Sequence, residues 1–304
     1  FPALFAASPY RYDNNELPPR PMFLWRETGP IEWYVEQGYA YVHADVRGTG
    51  ISGGDFGFLS RAEQQDLYDV IEWIAKQKWS NGKVGGIGQS YYCMSQWFMG
   101  VMAPPALACL GACDGLNDPY RASCYQGGIP GEFFPGFWWT QNRIINRHPA
   151  NGSALCEQKT DLGMLLARHP TYDDFWRERC AWERLERIKV PVYSCGVWGK
   201  IDLHTRGNVD AFRRVGGPRK LRMSGAVSAW AAAQEFSSVE FHEKVLLSFY
   251  DKYLKGEETD YDRRPPVEYF VRGANTTRTS DSWPPKGVRY EAWHLNAGLS
   301  GSVT

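Results

Sequence analysis

The stretch that most limits what this chain can become runs from Lys83 to Met102. Lys83-Val84-Gly85-Gly86 reads as a strand of small residues, and the chain then turns sharply through Gly88-Gln89-Ser90. Beyond the turn, Met94, Trp97, Phe98, Val101 and Met102 fall at helical spacing, and Pro104-Pro105 ends the run. Strand, tight turn with a serine at its apex, then helix is the nucleophile-elbow arrangement. The bend lifts the hydroxyl clear of the backbone and points the first N–H groups of the helix at the place where an oxyanion would form. The elbow signature is Gly-x-Ser-x-Gly, and its last position here is Tyr92, which must find room. The pentapeptide alone fits a surface serine in a strand-to-helix loop equally well.

The flanking sequence supplies the context. Pro2 to Ala7 reads as a buried strand running into the turn Ser8-Pro9-Tyr10, and Gly38 to Ala44 as a second strand ending at Asp45. His43, inside that strand, reads as a packed histidine. Gly48-Thr49-Gly50-Ile51-Ser52-Gly53 spells a dinucleotide fingerprint, but that motif must open a helix on whose N-terminus a pyrophosphate sits. Here Gly54-Asp55-Phe56-Gly57 prolongs the loop, and the helix is expected near Arg61, capped by Ser60. Ala106 to Cys113 is a fourth strand. Strands alternating with helices imply a parallel sheet covered on both faces.

From Asn117 to Arg187 the pattern changes to an aromatic, Pro- and Gly-rich and then helical stretch, expected as a cap over the carboxyl edge of the sheet. Val190 to Cys195 and Lys220 to Ser224 resume the sheet, and Ser238 to Leu254 is a long helix. After Pro265-Pro266 the texture alternates through Val267 to Val271 and Tyr290 to Leu295, which predicts the opening strands of a β module. The expected division is a hydrolase core over 1–116 and 188–258, a helical cap over 117–187, and the beginning of a β module over 259–304.

Composition narrows the function classes. Lys and Arg together equal Asp and Glu, so no basic surface for nucleic acid or for an anionic membrane is expected. No apolar run has membrane-spanning length. Seven cysteines without a CxxC spacing point to a reducing, cytoplasmic setting. Thirteen tryptophans serve an aromatic core or an aromatic-lined pocket.

With these residues in view, the chain resembles the α/β-hydrolases of the X-prolyl dipeptidyl peptidase and cocaine esterase group, which includes the α-amino-acid ester hydrolases. The resemblance rests on Ser8-Pro9-Tyr10, on Asp45-Val46-Arg47-Gly48-Thr49-Gly50 through Gly54, and on Asp69 to Ala75 leading to Trp79-Ser80-Asn81-Gly82-Lys83-Val84-Gly85. The Ser90-Tyr91 elbow with Gln96-Trp97, the Gly196-Val197-Trp198 loop and Tyr253-Leu254-Lys255-Gly256 complete it in the same order. It implies an α/β-hydrolase with an inserted helical cap and the start of a C-terminal β jelly-roll module, belonging to a longer natural protein or to one completed by partner chains.

The resemblance also implies roles. Ser90 corresponds to the acylated nucleophile, and the Tyr91 N–H with the Tyr10 hydroxyl to the oxyanion hole. The loop argument supports Tyr10 independently, because the loop after the first strand supplies the second donor in this fold, and a phenol can donate to developing negative charge. The family carries Trp-x-Asp after the strand ending at Cys195. This chain has Trp198-Gly199-Lys200-Ile201-Asp202, so Asp202 is expected as the triad acid two residues late, the alternative being a helix cap near His204.

The histidine is missing. The family places it near Ser228 or Ala229, and the text there is Ser224-Gly225-Ala226-Val227-Ser228-Ala229-Trp230. His204 reads as structural and His294 belongs to the terminal module. His242 is the expected substitute base, against the alternative of a helix histidine beside Glu243.

The sequence therefore predicts a serine hydrolase that cleaves an ester, an amide or a short peptide through an acyl-enzyme on Ser90, with no metal or cofactor. It binds neither nucleic acid nor membrane and is compatible with a homo-oligomer. The alternative is a hydrolase-fold binding protein that has lost its general base.

Overall fold

The computed structural model describes residues 1–12, 27–147 and 159–294. Its main sheet contains strands β1 (Ala3–Ser8), β2 (Ala40–Asp45), β3 (Val84–Gln89), β4 (Leu107–Cys113), β7 (Val192–Val197), β8 (Arg219–Ser224), β9 (Val267–Val271) and β10 (Thr276–Ser280), in the order β10-β9-β8-β7-β4-β3-β1-β2. A two-residue hairpin, β5 (Tyr125–Gln126) with β6 (Ile129–Pro130), stands apart from it. Neighbours from β2 to β9 pair in parallel, with Ala3 opposite Ala40 and Val84, and Gly111 opposite Tyr193. β9 and β10 pair antiparallel. Every residue of β1, β3 and β7 is buried. That burial accounts for their runs of apolar and small residues without polar alternation, as in a parallel sheet covered on both faces.

Helices α1 (Ile31–Glu36), α2 (Arg61–Ala75) and α3 (Tyr91–Met102) cross between the early strands. α2 begins where the sequence places it: the Ser60 hydroxyl accepts from the Glu63 N–H, and the glycine-rich loop before it is closed by Gly48 N–H to Gly53 O at 3.0 Å. α3 is buried along nearly its whole length, which explains why its apolar residues do not keep to one stripe. The Ser95 hydroxyl ties it to Ala7 O at 3.0 Å and the Trp97 indole to Gly115 O at 3.2 Å.

Between β4 and β7 lie the turns Tyr120–Cys124 and Phe133–Trp138, helices α4 (Trp139–Arg147), α5 (Leu162–Ala167) and α6 (Asp174–Arg179), and the 3₁₀ turn Trp182–Arg187. Trp138 and Trp176 are fully buried here, and Phe133, Phe134 and Phe137 face a cavity shared with Ser90. α7 (Thr205–Arg214) and α8 (Ala229–Ser237) follow β7 and β8.

The long helix expected over 238–254 is a helical run in which α turns alternate with the wider π turns His242–Leu247 and Asp251–Lys255. Its Tyr250 hydroxyl donates to Gly86 O at 2.9 Å, fixing the run against the strand that carries the elbow. β9, read from sequence as the first strand of a separate module, extends the main sheet beside β8. Its alternation correctly marks a half-buried strand, but alternation does not say which sheet a strand joins. Residues 290–294 form no strand, and the remainder of that stretch lies outside the described residues.

One close approach limits the centre of the sheet. A Cβ on Gly111 would lie 2.0 Å from the Tyr250 hydroxyl. Gly111→Ala should therefore cost about 1–3 kcal/mol in urea-monitored unfolding. Tyr250→Phe in the same chain, by removing the clashing oxygen, should recover part of that loss.

Candidate active site

Ser90 sits at the junction of β3 and α3 with φ 61° and ψ −122°, a positive φ that a side-chain-bearing residue holds only when its surroundings enforce it. Two backbone hydrogen bonds enforce it: Gln89 N–H to Glu27 O at 2.8 Å and Ser90 N–H to Asp114 O at 3.0 Å. Gly88, at φ +127°, answers the question raised by Tyr92. A Cβ at Gly88 would come within 2.3 Å of the Tyr92 Cβ, so the glycine two residues before the serine makes the space for the tyrosine two residues after it. The Tyr92 ring packs edge-on to Tyr10, and its hydroxyl meets His43 Nε2 at 2.7 Å.

Tyr10 follows β1 in a turn where its N–H donates to the Ser8 hydroxyl at 3.1 Å. The Trp138 indole N–H donates to the Tyr10 oxygen at 3.1 Å, and Tyr10 and Ser90 line the same cavity. Burial, followed by the nearby Glu27 charge, holds this phenol well above its ordinary pKa, so it keeps a proton to donate. The Tyr91 ring stacks on Trp138 with an interplanar angle of 7°, and its hydroxyl donates to Glu63 Oε1 at 2.8 Å. Tyr91 opens α3, so its backbone N–H is one of the first donors, which lack a partner within the helix.

Ser90 opens into a cavity of about 680 Å³. Met94 and the aromatic residues of the 133–138 turn form its apolar wall. Tyr10, Glu27, Lys200, Asp202, His204 and Ser228 supply polar groups. The Lys200 ammonium is buried against Asp114 at 2.7 Å, and Asp114 also accepts from the Gln89 amide at 3.2 Å. Burial raises the Asp114 pKa while Lys200 opposes the rise. Glu27 is buried beside this pair. Desolvation pushes its carboxyl up to about 8, Asp114 adds to the rise, and Lys200 and the Ser90 hydroxyl hold it down.

Residues 1–230 match the sequence profile of the X-Pro dipeptidyl-peptidase (S15) family. The chain belongs to this family. It is similar to a putative serine esterase of Mycobacterium tuberculosis, 26% identical over 87% of this chain and 52% of that protein. It is also similar to the cocaine esterase of a Rhodococcus species, 27% identical over 99% of this chain and 58% of that protein. The crystal structure of a CocE/NonD family hydrolase from Staphylococcus aureus superposes with a TM-score of 0.84 at 29% identity, covering 98% of this chain and 54% of that one. An α-amino acid ester hydrolase shares the fold, with a TM-score of 0.62 at 20% identity. The chain thus spans about half the length of the curated relatives it matches. It has the α/β-hydrolase fold that this family shares.

Ser90 and Tyr10 line one cavity, and Asp202 lies at its rim, exposed, its backbone carbonyl accepting from the Gln126 amide at 2.6 Å. The vacant histidine loop is also in place. A Cβ on Gly199 would lie 2.4 Å from Ser228 N, so the two loops touch, and the Ser228 hydroxyl is spent capping α8 at Ala231 N–H.

His242 requires a correction. It is fully buried away from this cavity, its Nε2 donating to Phe236 O at 2.6 Å and its Nδ1 accepting from the Tyr34 hydroxyl at 2.8 Å. It packs so closely that a Cβ on Gly29 would lie 2.6 Å from its Nε2. Both nitrogens being engaged, it has no lone pair to offer Ser90. His204 does line the cavity, but its Nδ1 accepts from Leu116 N–H at 3.1 Å, which places the proton on Nε2 and makes that edge a donor rather than a base.

Glu27, Asp114 and Lys200 were not anticipated as site residues. Lys200 carries a signal: it stands where the family pattern has its aspartate. Asp114 carries another, as an acid just beyond the carboxyl end of β4, the edge where open α/β sheets bind ligands. Glu27 belongs to no motif.

Burial pushes His242 down to about 4. Since this folded value lies below the unfolded one, the stabilisation is present above pH 6.5 and is lost as the pH falls towards 4. Compared with His242→Gln, the wild-type chain should lose about 2 kcal/mol of relative stability between pH 8 and pH 5, read from urea unfolding at the two pH values.

Proposed function

We propose that this chain is the catalytic α/β portion of a serine hydrolase that cleaves a small acyl ester, amino-acid ester or X-Pro amide through an acyl-enzyme on Ser90. The observation that carries the reading is the strained Ser90 backbone, which sets the hydroxyl beside a protonated Tyr10 at the mouth of an aromatic cavity. Strain of this kind at a strand-to-helix turn persists where the fold over-determines it. Here the same geometry supplies a nucleophile, two oxyanion donors (the Tyr91 N–H and the Tyr10 O–H) and an apolar acyl wall. The described residues of the 117–187 stretch act as the cap that shapes this wall, and Asp202 stands at its rim. The cavity suits a substrate of drug-like size or smaller.

A second reading has its own support. Ser228 and Ala229 fill the loop where the family resemblance puts the histidine, and a chain without any base would bind an ester or peptide without turning it over.

Labelling with a fluorophosphonate followed by peptide mapping separates the two. The hydrolase reading expects the label on Ser90, its loss in Ser90→Ala, and release of p-nitrophenol from an activated acyl ester by the wild-type chain. Tyr10→Phe, lacking one oxyanion donor, should lower kcat by roughly 10²–10³ with KM little changed. Folded protein that neither labels nor turns over an activated ester supports the binding reading.

A further inference from the structure

We propose that Glu27 is the general base that activates Ser90, taking the place of the absent histidine. This rests on the reading of Ser90 as the acylated nucleophile.

The geometry ties Glu27 to the elbow twice. Its backbone carbonyl accepts from Gln89 N–H at 2.8 Å, and its side chain lines the same cavity as Ser90. Glu27 is 5% exposed, and its Oε2 is buried without a hydrogen-bond partner. A buried carboxylate with an oxygen left without a hydrogen bond is costly to maintain. Uptake of the serine proton relieves that cost. Among the described residues, His204 and His242 do not compete, because the free edge of His204 is a donor and both nitrogens of His242 are engaged.

The groups facing Glu27 are the Ser90 and Tyr10 hydroxyls, Lys200 and Asp114. Lys200 favours the carboxylate, while Asp114 and burial oppose it. The balance sets the group at about 8, close to the range a base needs to work near neutrality, whereas an ordinary glutamate would be too weak a base.

The steps balance without a cofactor. The Ser90 O–H bond breaks, its proton passes to Glu27, and Oγ bonds to the acyl carbon. The carbonyl pair moves to the oxygen, where the Tyr91 N–H and the Tyr10 O–H hold it. The pair returns, the bond to the leaving alcohol or amine breaks, and Glu27 protonates that group as it departs. Water then repeats the sequence, losing a proton to Glu27 and receiving the acyl group, while Ser90 takes the proton back.

The test is the pre-steady-state burst of p-nitrophenol from p-nitrophenyl acetate between pH 6 and 10, with Ser90→Ala as the blank. The acylation rate of the wild-type chain should rise about tenfold per pH unit and level off around a midpoint near 8, since only the ionised carboxylate accepts a proton. Glu27→Gln, of nearly the same shape, should acylate at least about 100-fold more slowly and lose this rise. Formate added to Glu27→Ala should restore part of the rate. A Glu27→Gln burst at the wild-type rate, abolished by Ser90→Ala, would overturn the role of Glu27 and leave the serine hydrolase intact. A flat wild-type profile, or one with a midpoint near that of histidine, overturns it even if the variants do not fold. A wild-type chain with neither burst nor phosphonate label removes the hydrolase reading and this inference with it.

Discussion

The site depends on a backbone held where a serine does not choose to be. Ser90 stays at positive φ because its own N–H and that of Gln89 are claimed by carbonyls from two separate parts of the chain, Asp114 after β4 and Glu27 before α1. Each of those residues then brings a carboxyl group to the same place. The clamps that impose the elbow geometry are therefore also its electrostatic surroundings, and neither can change without the other. Gly88 completes the arrangement by yielding the volume that Tyr92 occupies, and Tyr92 in turn backs the Tyr10 ring.

The buried Lys200–Asp114 pair governs how charge is shared in this space. Burying two ions costs several kcal/mol each, and their attraction returns that only with good geometry and additional hydrogen bonds. Here the contact is 2.7 Å and the Gln89 amide supplies a further donor to Asp114. The Lys200 ammonium also pulls the Glu27 carboxyl down against the effect of burial.

Much of this was legible from sequence. The elbow, the Ser60 cap, the strand alternation and the Tyr10 turn are local patterns, written in residues a few positions apart, and such patterns survive folding. What could not be read is set by distant partners. The state of His242 depends on Tyr34, 208 positions earlier, and on Phe236, which together occupy both nitrogens. The place of β9 depends on a register with Leu221 to Met223 that its own alternation does not encode. Glu27 stands in an unremarkable loop and acquires its chemistry only because Gln89 N–H draws its backbone to the elbow. Lys200 lay between these cases, conspicuous as a reversed charge in the Trp198 loop but silent about its partner.

The aromatic insertion leaves the sheet after β4 and returns to it at β7, and those two strands are immediate neighbours, Cys113 opposite Cys195, with Asp114 N–H bonded to Cys195 O at 2.7 Å. The whole excursion is thus a loop whose ends meet. Lengthening such a loop costs little, about 0.6 kcal/mol for each doubling. The wall of the Ser90 cavity can therefore change length or be replaced without moving the elbow that carries the serine.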